Sequence, residues 1–140
     1  MGMRYAALAL VACLGGCSLS GSGSECNSDS QCGDDVCTRN GECLARASVR
    51  SVTVNWTVNG VAASVPLCTG HPSLYLQFDG ADSGDSFRFA PVPCTLGKLF
   101  VDKLPRRYGQ VEIGVEGSAG AGDVSPIDAT TAQAQLDLFQ

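Results

Sequence analysis

Apolar and polar residues alternate with period two along most of the chain beyond residue 46. In Ser51-Val52-Thr53-Val54-Asn55-Trp56-Thr57-Val58 every even position is apolar and every odd one polar, the pattern of a strand with one buried face. Leu74, Leu76 and Phe78 repeat it against Tyr75 and Gln77, and Phe87 and Phe89 flank Arg88. A strand through Leu99 and Val101 leads to Leu104. Val111, Ile113 and Val115 alternate with Glu112, Gly114 and Glu116, and Ala134, Leu136 and Leu138 with Gln133, Gln135 and Asp137. A further strand is expected over residues 61–67. Gly, Pro, Asp and Ser turns separate these segments, Asn59-Gly60 among them. No segment carries a helical period. Short alternating strands at this spacing predict an all-β domain over residues 46–140, an antiparallel sandwich or partly closed barrel.

Residues 1–16 have another texture. Arg4 supplies one positive charge, an Ala- and Leu-rich run extends from Tyr5 to Leu14, and Gly15-Gly16 close it. This is the order of a cleaved signal peptide, and the run is too short to span a bilayer. Leu14-Gly15-Gly16-Cys17 resembles the bacterial lipobox, an aliphatic residue and two small ones ahead of an acceptor cysteine. The resemblance implies lipidation of Cys17, cleavage before it and acylation of the new amine by a fatty acid such as palmitate. It places the protein in the bacterial cell envelope, and Ser18 after the acceptor points to the outer membrane. A second register at Leu10-Val11-Ala12-Cys13 leaves too short an apolar run behind Arg4. Each buried methylene contributes about 0.8 kcal/mol, so two chains on one cysteine hold a domain to a membrane without any protein surface. Residues 17–25 continue as a Gly/Ser-rich tether, whose eight residues after Cys17 reach roughly 16 Å.

Six cysteines remain, an even number in an oxidising compartment: Cys26, Cys32, Cys37, Cys43, Cys68 and Cys94. The first four stand in a module over residues 26–45, whose stretch from Cys26 to Cys43 has almost no apolar residue beyond Val36 and a turn at Asn40-Gly41. So short a segment buries no core and depends on covalent bridges. Of three pairings, the interlocked one, Cys26–Cys37 with Cys32–Cys43, constrains the same turns twice and is the expectation. The spacing Cys-x5-Cys-x4-Cys-x5-Cys is similar to short modules that follow signal peptides in secreted myxobacterial proteins. Zinc, the other use of four cysteines, is disfavoured by the lack of a Cys-x2-Cys knuckle. A Cys68–Cys94 bridge would close a loop of about 27 residues and stabilise by roughly 3.5 kcal/mol through chain entropy.

Thr95-Leu96-Gly97-Lys98-Leu99-Phe100-Val101-Asp102-Lys103-Leu104-Pro105-Arg106-Arg107-Tyr108, running on into Val111-Glu112-Ile113-Gly114-Val115, resembles the transthyretin-like or carboxypeptidase-regulatory β-sandwich. There, an alternating strand runs into Leu-Pro, a turn, a tyrosine and a second strand. The resemblance implies a Greek-key sandwich. Arg106-Arg107 depart from it where the family has a turn glycine, and the Cys68 loop displaces its first hairpin signature. Such sandwiches serve many roles, so no activity follows.

The net charge of −5 and the scatter of Lys and Arg leave no basic stripe for a phosphate backbone, so nucleic acid is excluded as an expected partner. His71, the one histidine, precedes Pro72 in a loop, and no Gly-x-Ser-x-Gly elbow accompanies it. No phosphate loop, dinucleotide fingerprint or other cofactor motif is present. The densest acidic run, with Asp79, Asp82 and Asp85, has three-residue spacing. The calcium loop of an EF-hand places its ligands at alternate positions, and hairpin turns favour Asp and Gly in any case. Trp56 belongs to the expected core. Tyr108 reads as a corner tyrosine whose hydroxyl bonds to backbone, within a small exposed patch Arg106-Arg107-Tyr108. The expectation is a membrane-anchored, non-enzymatic envelope lipoprotein, an interaction or structural module for an envelope protein or polymer. The alternative is a ligand-, carbohydrate- or calcium-binding module using the loop from Asp79 to Asp85.

Overall fold

The structure is a computed structural model and describes residues 26–82, 84–118 and 122–136. Cys17, its tether and Leu138 lie outside the described residues.

The four-cysteine segment opens with a single 3-10 turn, Asp29–Gln31, entered through Ser28. The Gln31 carboxamide oxygen accepts the Ser28 N–H at 3.1 Å, closing a capping box over a turn that has no buried residue to hold it. Strands β1 (Val36–Cys37) and β2 (Cys43–Leu44) pair antiparallel. The turn between them places Gly41 at φ 83°, which is why Asn40-Gly41 stands there. The bridges are Cys26–Cys37 and Cys32–Cys43, the interlocked pairing.

The rest is a two-layer sandwich built from β3 (Val49–Val58), β4 (Val61–Ala62), β5 (Ser73–Asp79), β6 (Ser86–Pro93), β7 (Lys98–Pro105), β8 (Gln110–Val115), β9 (Asp123–Pro126) and β10 (Thr131–Leu136). One sheet centres on β3, with β10 on one side and β7 and the short β4 along the other; its companion runs β6-β5-β8-β9. Val52, Val54, Trp56 and Val58 of β3 meet Leu74, Leu76, Phe78 and Ile113 of the facing sheet in one core, as the alternation predicts. The Trp56 indole N–H donates to the buried Cys94 carbonyl at 3.0 Å, and Cys94 is bridged to Cys68. Core and disulfide therefore brace the same end of the sandwich.

Three features differ from the period-two reading. Residues 61–67 do not form one strand: after β4 the chain makes a single helical turn, α1 (Val65–Cys68). Pro66 cannot donate to a ladder, suits a first helical turn, and the turn delivers Cys68 to Cys94. Strand β9 is not among the strands expected: Asp123-Val124-Ser125-Pro126 is short, holds a proline, and buries Ser125 while exposing Val124, the reverse of an apolar-inward pattern; its backbone pairs with β8 in register. Pairing is antiparallel throughout except that β10 runs parallel to β3, from Thr131 beside Thr53 to Leu136 beside Val58. The chain passes from the edge strand of one layer to that of the other, and the crossing fixes the direction in which β10 arrives.

Candidate functional site

The four-cysteine module docks on the sandwich rather than hanging from it. Its seat is the side where β6 ends one sheet and β7 borders the other. In β7 the register against β3 slips between Arg50 and Val52, so Asp102 and Lys103 share the space opposite Ser51. Lys103 takes φ 49° at this bulge. Its side chain is aimed at the module, where Nζ lies 2.7 Å and 2.9 Å from the two Asp29 carboxylate oxygens. The Asp29 carboxylate also accepts the Cys37 N–H at 3.0 Å. The Lys103 ammonium, then the Cys37 N–H, hold the Asp29 carboxyl below its ordinary range. Beside them, Arg39 pairs with Asp102 and donates its backbone N–H to the Lys103 carbonyl.

A second set of contacts surrounds Tyr108, which is only 1% exposed. Its hydroxyl donates to Asp85 Oδ1 at 3.0 Å and accepts from Asn40 Nδ2 at 3.1 Å. Arg107 spans the same junction, with Nε 2.6 Å from Asp85 Oδ2 and Nη2 2.7 Å from Glu42 Oε1. Partial burial works against the charge on Arg107, but the bonds to Glu42 and Asp85 outweigh it and raise the guanidinium pKa. Arg107, then the Tyr108 hydroxyl, hold the Asp85 carboxyl low, while burial and then Asp85 push the Tyr108 phenol up. Arg106-Arg107-Tyr108 is therefore no free contact patch. The Tyr108 hydroxyl bonds to side chains, not to backbone, because Asp85 of the sandwich accepts from it and the module brings Asn40 over it.

Between module and sandwich lies an open cleft of about 460 Å³. Asn27, Asp29, Thr38 and Asn40 form one wall, and Phe87 of β6 with Lys103 of β7 the other. The Thr38 hydroxyl donates to Asn40 Oδ1 at 2.6 Å, so Asn40 is held at both ends of its carboxamide. Phe87 is half-buried and packs edge-on against Phe89 at 4.8 Å.

The acidic loop is drawn into other work. Asp85 belongs to Arg107 and Tyr108, and Asp79 Oδ1 accepts from Gln77 Nε2 at 2.9 Å. Asp82 is exposed, and no trio of carboxylates gathers within ion-holding distance among the described residues. Sulfurs of Cys26, Cys32 and Cys37 do lie within 4.8 Å of one another, but all three are consumed in disulfides and offer no thiolate. His71 is half-buried at the far end, its backbone N–H on the Cys68 carbonyl. Sequence reasoning missed the cleft residues Asp29, Asn40, Phe87 and Lys103 as a group. The one trace they left is the break of parity between Val101 and Leu104, which marks the bulge that aims Lys103.

Set beside known proteins, this chain matches no family model, no curated protein and no solved structure, so the disulfide-bridged module and its all-β sandwich are what the comparison leaves standing.

Proposed function

We propose that this chain is an exported lipoprotein of the bacterial cell envelope, anchored through acyl chains on Cys17, whose folded part is a non-enzymatic binding module working at the cleft between the four-cysteine unit and the sandwich. The observation that carries the reading is the docked, doubly bridged module: disulfides belong to an oxidising compartment, and Leu14-Gly15-Gly16-Cys17 supplies both the export signal and the anchor. The outer membrane is the proposed site, through Ser18. Cys26 and Asn27 line the cleft, and nine residues of chain from Cys17 to Cys26 reach about 30 Å at most. The cleft thus works close to the lipid surface, against an envelope polymer or protein.

The test is intact-mass measurement on the membrane fraction of expressing cells. The expected product starts at Cys17, carries two or three acyl chains and has no free thiols, and Cys17→Ala releases it from the membrane. An unprocessed start at Met1, or a soluble product with reduced cysteines, would sink the reading.

A further inference from the structure

The cleft cancels its charges within its own walls: Asp29 is paired with Lys103 and Arg39 with Asp102. An ionic ligand would have to displace one of those pairs. What remains on offer is polar and carries no unpaired charge. Asn40 spends one amide hydrogen on Tyr108 and its carbonyl on Thr38, leaving the second amide hydrogen. Asp29 accepts from Lys103 and Cys37 and retains unused lone pairs. Asn27 presents its carboxamide at the exposed rim. One aromatic residue, Phe87, shares the lining with them, half-buried with its ring packed on the core and on Phe89.

Amide and carboxylate groups beside a single ring suit a pyranose, whose C–H face packs on the aromatic while its hydroxyls bond to the amides. We infer that the cleft is a binding site for a neutral oligosaccharide. Its 460 Å³ falls in the range of about 300–1,000 Å³ for small-molecule sites. Its walls are fixed before binding by the Cys26–Cys37 bridge and the Asn40 and Asp29 bonds, so little ordering is left to oppose association. The inference rests on the reading of this chain as a binding module and adds the ligand class.

The test is calorimetric titration of the full acylated protein in a zwitterionic, sugar-free detergent. Neutral tetrasaccharides of glucose, galactose and N-acetylglucosamine are compared with uronate and sulfated oligosaccharides of the same length. Saturable binding of at least one neutral sugar is expected, about tenfold or more tighter than any charged one. Asn27→Ala, at the rim, should weaken it about tenfold with the melting temperature unchanged; Phe87→Leu, which keeps apolar bulk but removes the ring, should also weaken it about tenfold, with the chain still unfolding cooperatively at a melting temperature lowered by the lost packing on Phe89 and the core. No saturable binding of any neutral sugar up to millimolar concentration, preference for a charged one, or unchanged affinity in both variants would overturn the proposal. Capture of an envelope protein that both variants lose would overturn the sugar while keeping the binding module. A non-acylated Cys17 would remove the anchor without touching the titration.

Discussion

Tyr75 stands on the outer face of β5 between the inward Leu74 and Leu76, yet it is only 7% exposed. The Arg88 guanidinium covers its ring at 3.9 Å, its hydroxyl donates to Glu112, and on the neighbouring strand Gly114 leaves room for it. A Cβ at residue 114 would come within 2.6 Å of the ring. Gly114→Ala is expected to cost about 1–3 kcal/mol by overpacking, because the ring can retreat only by giving up Arg88 or Glu112. In a domain this small, that lowers the melting temperature by roughly 4–8 °C per kcal/mol. Adding Tyr75→Leu should restore most of the loss in a thermal melt; equal melting of wild type and Gly114→Ala would refute the account. From the sequence, Tyr75 is a solvent-facing residue. Its burial depends on a cross-strand glycine that only the register of β5 with β8 brings opposite.

Among the elements, strand parity was legible and its breaks were informative. From Val52 to Val58 the even positions of β3 are buried, as the alternation requires. The slip from odd Val101 to even Leu104 is the β7 bulge, and the slip from Phe89 to Val92 is an irregularity of β6 against β5. Local pattern can say that a strand is interrupted, but what the interruption aims at depends on the neighbouring layer. Lys103 and Asp29 are each more than a third exposed, so solvent screens the pair and it adds little to global stability. Lys103→Ala should therefore barely move the denaturation midpoint, yet raise hydrogen exchange at the Cys26, Thr38 and Arg39 amides. A large global loss with no local change would contradict that. The Cys68–Cys94 bridge is different, because it ties α1 to the strand-end turn beneath Trp56. The double replacement Cys68→Ser, Cys94→Ser should cost about 2–5 kcal/mol in a denaturant titration. A loss below 1 kcal/mol would show that the core alone holds this end.

At the scale of the whole molecule, acid should act first on the junction. Asp29 and Asp85 titrate below the ordinary carboxylate range in the folded chain, through Lys103 and Arg107 respectively. Unfolded, each returns to about 3.9. Their stabilising contributions are complete above that value and disappear as the pH falls through the lower folded values, where the unfolded chain binds more protons. Protection factors of the module amides should accordingly drop below about pH 4, before those of Val54 and Ile113 in the core. The double variant Asp29→Asn, Asp85→Asn should lose this acid step. A wild-type profile identical to that of the double variant would rule the junction out as its source.

The sequence by itself determined the all-β class, the core faces of β3, β5 and β8, and the turns at Asn40-Gly41 and Asn59-Gly60. These depend on side-chain periodicity and on backbone preferences within a few residues. The interlocked bridges were legible for a related reason, since four cysteines in eighteen residues leave few ways to close the same turns. Tertiary structure alone decided the parallel arrival of β10, the burial of Tyr108 and the cleft. Each requires residues far apart in the chain, Asn40 with Tyr108 and Asp29 with Lys103, to meet across separately formed units. Such meetings are set by how the layers dock, and docking leaves no periodic mark on the chain.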